Sequence, residues 1–284
     1  MKRLSYIILT LSLSGLSYAG QDQKVNDKIA ALERLGPEFS FVVIGDNRSG
    51  DRVYKKLIKM VMERKPRFVI NTGDQIPDPG DRDDWKEFWE MSSAIDVPYF
   101  LTVGNHDAKD AKSEAVYREE VDLPGNELYY LFNAGDCLFI VLDSYLTGEQ
   151  KRITQEQYKW LEGILSRSDK RHKFVFLHHP LYPEKGKGRH FGNSLDRYPA
   201  ERDRLQGLLE GHKVRAVFAG HEHMYLRKSV GGIEQIITGG GGAPLYAGVE
   251  DGGFHHFILV TVKYGNVLCE VIDIDGKVRD RFVL

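Results

Sequence analysis

From residue 39 onward, apolar runs of strand length alternate with segments whose apolar residues recur at helical spacing. Residues 39–44, 67–71 and 98–103 read as strands. Between them, residues 53–62 place Leu57, Ile58 and Val61 on one helical face, and Asp83-Asp84 opens a second helix through Trp85, Phe88, Trp89 and Met91. This β-α-β-α-β order predicts a parallel sheet covered by helices. Residues 108–127 are charged and irregular and read as a rim or cap insertion. Residues 128–133 and 137–142 flank Ala134-Gly135-Asp136 and predict a hairpin. Thr154 and Gln157 predict a capping box ahead of Tyr158, Leu161 and Leu165. A strand at 173–177, a helix at 201–209 and a strand at 214–219 follow. The remainder reads as strands at 224–230, 233–238, 255–262, 267–273 and 279–283. An α/β domain with two sheets and flanking helices accommodates all of these elements.

The residues before this pattern differ from it. Val25, Ile29, Leu32 and Leu35 recur at helical spacing within 20–38, and Gly36-Pro37 ends the run. We read an N-terminal helical segment that packs on the main domain. Further upstream, Lys2 and Arg3 precede an apolar run at 4–16, followed by Ser17-Tyr18-Ala19. A basic start, a short apolar stretch and small residues before a cleavage point describe a secretory signal peptide over 1–19. The run is short for a membrane span, so the expectation is a periplasmic or secreted protein with no span after cleavage. An uncleaved anchor is the alternative.

With 284 residues, the chain has ample material for one large domain. Its net charge of −2 lacks the basic excess that nucleic acid attracts, so no nucleic-acid partner is expected. Cys137 and Cys269 lie in strand-like segments, and a disulfide and two buried thiols remain equally open. Their spacing is not that of a zinc-thiolate site.

Five polar blocks, each placed where an apolar strand ends, change the picture. They are Gly45-Asp46-Asn47, Gly73-Asp74, Gly104-Asn105-His106-Asp107, His178-His179-Pro180 and Gly220-His221-Glu222-His223. Sites in parallel sheets form just beyond the carboxyl ends of strands. Asp46 and Asp74, on successive parallel strands, would stand side by side, and their repulsion argues for a bound cation. Asn105 offers a neutral oxygen, and His106 suits an acid or a phosphate donor. His221 and His223, two apart on extended backbone, share a face. Taken singly, each block also reads as a turn or a helix cap.

The ordered set resembles the calcineurin-like metallophosphoesterase superfamily, and its flanks resemble the purple-acid-phosphatase-like bacterial branch. Further support comes from residues 139–144, Trp160-Leu161, residues 178–182 and residues 238–244, and the likeness runs from about 39 to 260. It implies a two-sheet β-sandwich in αββα layers, with residues 39–284 as the metallophosphoesterase domain. It also implies roles. Asp74 would bridge two metals. Asp46 and His223 would hold the first, and Asn105, His178 and His221 the second. His106 would touch phosphate and assist the leaving group, with Asp74 and His106 as the catalytic pair. The reaction implied is hydrolysis of phosphate mono- or diesters by a metal-activated hydroxide. The substrate would be a phosphoester small molecule or a phosphorylated partner. A nitrogen and oxygen donor set without thiolate favours two divalent or trivalent ions of manganese, iron, zinc or cobalt.

One position departs from the pattern. Arg48 stands where the superfamily usually places a further histidine ligand, and Pro77 stands where the purple branch places tyrosine. Arginine cannot coordinate. Either the first metal is weakly held, or Arg48 grips phosphate, or Arg48 pairs with a nearby carboxylate. Asn47 and His179 are further candidates for substrate contact. The competing reading is a non-catalytic metal- or phosphate-binding module of the same fold.

Overall fold

The computed structural model describes residues 18–284, with side chains from Val25 onward. Residues 1–17 of the expected signal peptide lie outside the described residues. Helix α1 (Tyr18–Glu33) leads into β1 (Glu38–Ile44), α2 (Asp51–Glu63), β2 (Val69–Asn71), α3 (Arg82–Ser92), β3 (Tyr99–Leu101) and α4 (Ala111–Glu120). A hairpin of β4 (Tyr130–Ala134) and β5 (Cys137–Val141) follows, then α5 (Gln155–Arg167), β6 (His172–Leu177), α6 (Pro199–Gly211) and β7 (Ala216–Ala219). The chain closes with β8 (Tyr225–Val230), β9 (Ile233–Thr238), β10 (His256–Lys263), β11 (Asn266–Asp273) and β12 (Val278–Val283).

Two six-stranded sheets result, in the orders β12-β11-β10-β1-β2-β3 and β4-β5-β6-β7-β9-β8. Strands β1, β2 and β3 run parallel, as do β5, β6, β7 and β9. Alternation along β5 shows how the layers form. Phe139 and Val141 face the space between the sheets, whereas Leu138 and Ile140 face outward to Leu161 and Leu165 of α5 and Leu205 and Leu209 of α6. Phe139 stacks on Phe132 at 4.9 Å between ring centroids and meets Phe41 and Phe68 edge-on at 5.1 Å. These rings bond the two sheets into one core. Helix α2 buries Tyr54, Leu57, Ile58 and Val61 in that same core. The layering is the αββα sandwich that the family resemblance implies.

Two local expectations give way, and one open alternative resolves. Residues 108–127 contain a true helix, α4, started by a capping box between Asp110 and Ser113 and anchored by the buried Tyr117. The capping box expected at Thr154 does not form: its hydroxyl goes to Glu149, and Gln157 is buried, bonding the Asp143 N–H at 2.8 Å and its carbonyl at 2.9 Å. Cys137 and Cys269 are both buried free thiols. Among the described residues, no helix is long and apolar enough to cross a membrane.

Candidate metal centre

Parallel strands end at a common edge, so their terminal loops meet. The first sheet delivers Asp46 after β1, Asp74 after β2 and Asn105 with His106 after β3. The second delivers His178 and His179 after β6, and His221 and His223 after β7. Asp46, Asp74, His178, His179, His221 and His223 are all buried, while Asn105 and His106 are partly exposed. Asp46, Asp74 and His221 hold φ of 57°, 57° and 69°, a left-handed backbone that is strained for histidine. The strain is held by specific bonds. The Asp46 carboxylate accepts the His221 N–H at 3.0 and 3.1 Å, and the Asp46 N–H reaches the Gly73 carbonyl at 2.9 Å.

Hydrogen bonding fixes which nitrogens are free. His178 Nδ1 lies 2.9 Å from the Thr72 carbonyl, which only accepts, so Nδ1 carries the proton and Nε2 presents a lone pair. Around that lone pair stand Asn105 Oδ1 at 3.2 Å, Asp74 Oδ1 at 3.3 Å and His221 Nδ1 at 3.3 Å. His223 repeats the arrangement. Its Nδ1 donates to the Pro244 carbonyl at 2.7 Å, and Nε2 faces Asp46 Oδ1 at 3.5 Å. Lone pairs aimed at carboxylate oxygens repel unless a cation lies among them. Nε2 of both His179 and His221 is buried without a partner.

The ionisation pattern agrees. Burial pulls His178 below the ordinary histidine value, His179 and His221 well below it, and His223 down to about 4. Neutral imidazoles with free lone pairs are what metals bind. Burial, then the neighbouring Asp74, pushes Asp46 well above the carboxylate range. Burial also acts upward on Asp74, but His178, His106 and Arg48 outweigh it and leave that carboxyl low. Two close carboxylates in a dry site therefore compete for one negative charge, and a cation would relieve both.

Two groups of donors emerge. Asp46, Asp74 and His223 each bring one ligand-type atom within 4.8 Å of the others, and so do His178, His179 and His221. The first is the trio that the family resemblance implies for the first metal. In the second, His179 joins His178 and His221, with Asn105 alongside. Arg48 forms the carboxylate pair offered among its alternatives: its Nε meets Asp74 Oδ2 at 3.2 Å. Asn47, expected to contact substrate, is corrected. It is fully buried, its Nδ2 donating to the Gln75 carbonyl at 3.0 Å and its Oδ1 accepting from Asn71 at 2.8 Å, so it ties the first two strand-end loops together. His106 anchors Nδ1 on the Pro77 carbonyl at 2.5 Å, leaving Nε2 free, and its backbone N–H donates to Asp74 Oδ1 at 3.0 Å.

Other residues that matter here escaped sequence reasoning. The Asp107 carboxylate accepts the N–H of Gly104, Asp74, Gln75 and Ile76 at 2.7 to 3.3 Å, fixing the loop that carries Asp74. Tyr246 stacks on His223 at 4.0 Å and His190 on His221 at 4.0 Å. The glycine run at 239–242 serves backbone packing. Gly241 donates to the Gly45 carbonyl at 2.8 Å, and a Cβ there would lie 2.3 Å from that oxygen.

Comparison with known proteins places this geometry. A probable glycerophosphodiester phosphodiesterase, GpdQ, of Arcobacter nitrofigilis is 33% identical over 167 residues, covering 57% of this chain and 58% of that protein. The chain spans less than two thirds of the length of the curated relatives it matches. Among solved structures, purple acid phosphatase PPD1 from yellow lupin seeds superposes with a TM-score of 0.74 at 20% identity, over 88% of this chain and 54% of that one. GAP50, the anchor in the inner membrane complex of Plasmodium, superposes with a TM-score of 0.69 at 15% identity, over 88% of this chain and 89% of that one. At such identities these likenesses establish the fold alone. The sequence model of the calcineurin-like phosphoesterases matches residues 39–225, the stretch that carries all five polar blocks, and the chain belongs to that family.

Proposed function

We propose that this protein is a metal-dependent phosphoester hydrolase. The observation that carries the reading is the convergence of the His178 Nε2 lone pair with Asp74 Oδ1, Asn105 Oδ1 and His221 Nδ1, all within 3.3 Å of it. This donor set fits a cation and little else. Asp46 and His223 would hold a first ion, and Asn105, His178 and His221 a second beside His179, with Asp74 between them. When bound, a pair of such ions supplies Lewis-acid charge and acidifies water toward neutrality. Manganese, iron, zinc and cobalt all suit these donors.

The protein's own groups divide the remaining work. Asp74 receives an N–H from His106 and the guanidinium of Arg48, so its orientation is set before any ion arrives. The Pro77 carbonyl holds the His106 proton on Nδ1, so a proton passed to a leaving oxygen would be carried at Nε2. Arg48 is 17% exposed and adds a fixed positive charge beside the centre, where a phosphate dianion is drawn in. Metal-stripped protein regains hydrolysis of an aryl phosphate or its diester when manganese is added. Asp74→Asn and His106→Ala lower the rate at least about 100-fold. Undiminished turnover in either variant would refute the assignment.

The second reading, a non-catalytic module, is favoured by Arg48 alone, which replaces a ligand. It requires metal binding without turnover on any phosphoester. The basic, apolar and small-residue sequence of residues 2–19 supports an exported enzyme. N-terminal sequencing of mature protein then begins at Gly20, and a retained Met1 argues for an anchor.

A further inference from the structure

Glu222 lies between His221 and His223 in sequence but belongs to neither candidate donor group. It is buried, and its two carboxylate oxygens accept the backbone N–H groups of Arg189 and His190, each at 2.7 Å. Gly188, at φ +71°, packs so closely that a Cβ would lie 2.2 Å from Glu222 Oε2. Charge-assisted bonds to a buried carboxylate are short and strong. They fix the backbone at Arg189 and His190. The consequences are geometric. His190 is laid on the His221 ring, and the Arg189 guanidinium sits 4.5 Å over the Tyr246 ring. Tyr246 in turn stacks on His223 at 4.0 Å and 14°.

Arg189 is exposed, and its one charged-group contact among the described residues is the face of Tyr246. Stacking orients the planar fork without using its N–H donors. The donors are therefore held ready, one aromatic ring away from a ligand of the candidate centre. Arg189 belongs to neither group of candidate ligands, so it is placed for the far end of a substrate's substituent rather than for the phosphoryl group itself.

We propose that Arg189, stacked on Tyr246, is the recognition site for a second anionic group of the substrate, a carboxylate or a second phosphate on the leaving portion. Glu222 is the positioning residue that holds it there. The inference rests on the phosphoester reading and narrows it to substrates carrying a phosphate ester and a further negative charge.

The test is calorimetric binding to manganese-loaded protein, with methylphosphonate as the singly anchored probe. Phosphonoacetate, 3-phosphonopropionate and 4-phosphonobutyrate are the doubly anionic series. The best member of the series binds about tenfold tighter than methylphosphonate in the wild type. In Arg189→Ala that ratio falls to near one, and in Arg189→Glu it falls below one. Glu222→Gln retains the side-chain shape but loses the charge that holds two N–H groups, and it lowers the ratio as well. A wild type that binds all four ligands alike overturns the inference while sparing the phosphoester reading, and so does a ratio unchanged in Arg189→Ala. Failure of the loaded wild type to bind any phosphonate removes both.

Discussion

Asp107 contributes no donor to either ligand group, yet four backbone N–H groups converge on it. Two of them, from Gly104 and Asp74, meet one oxygen, and the other two meet the second oxygen. Asp107→Asn would set an amide NH₂ against two N–H donors in a buried site. Leaving them unsatisfied costs on the order of 3 kcal/mol. Because Asp74 hangs on this carboxylate, metal affinity should also fall about 10–100-fold, as it does when a ligand's supporting partner is lost. Denaturant unfolding and metal titration of the variant read the two effects separately. Wild-type stability would show that the four bonds are dispensable. In the sequence, Asp107 is merely the last letter of Gly104-Asn105-His106-Asp107, and nothing local separates a ligand from a scaffold carboxylate. Asn47 illustrates the reverse case: it sits beside the candidate ligand Asp46 in the chain but turns inward.

At the level of elements, the strands and most helices were legible because each carries its own periodicity. The strand predicted at 39–44 is β1 within one residue, and the blocks after β1, β2, β3, β6 and β7 fall at strand ends as expected. Failures occurred where a side chain chose a distant partner over a near one. Thr154 and Gln157 have capping-box spacing, but Gln157 satisfies the backbone of Asp143 instead. Helix α4 is dense in charge and buries little beyond Ser113 and Tyr117, so its apolar period is faint. Its one sequence signal is Asp110 followed by Ser113, a capping box without glutamate. The segment at 188–190 owes its position to Glu222, thirty-odd residues away, and no local pattern could have announced it.

Over the whole molecule, the two sheets are joined by aromatic packing and by a few polar links. One of these is His256 at the start of β10, whose Nε2 lies 3.0 Å from the Thr238 hydroxyl at the end of β9. Burial lowers His256 from 6.5 to about 4. In the unfolded chain it takes up a proton below about pH 6.5, whereas in the folded protein it resists until about pH 4. Stability from this group is therefore complete above pH 6.5 and is lost as pH falls toward 4, by about 3 kcal/mol in all. Compared with wild type, His256→Gln should lose less stability across that window in urea unfolding. Parallel pH profiles for the two proteins would contradict this account.

The candidate centre is divided between the halves of the chain. Its oxygen donors follow β1, β2 and β3, its imidazoles follow β6 and β7, and β1 pairs on one side with β10, close to the C-terminus. A nascent polypeptide at mid-translation thus exposes a carboxylate claw with no nitrogen to complete it. Were the centre to hold a cation, its capture would have to await the strands that carry His178, His221 and His223, and a chain halted before them would carry only an idle, acidic rim.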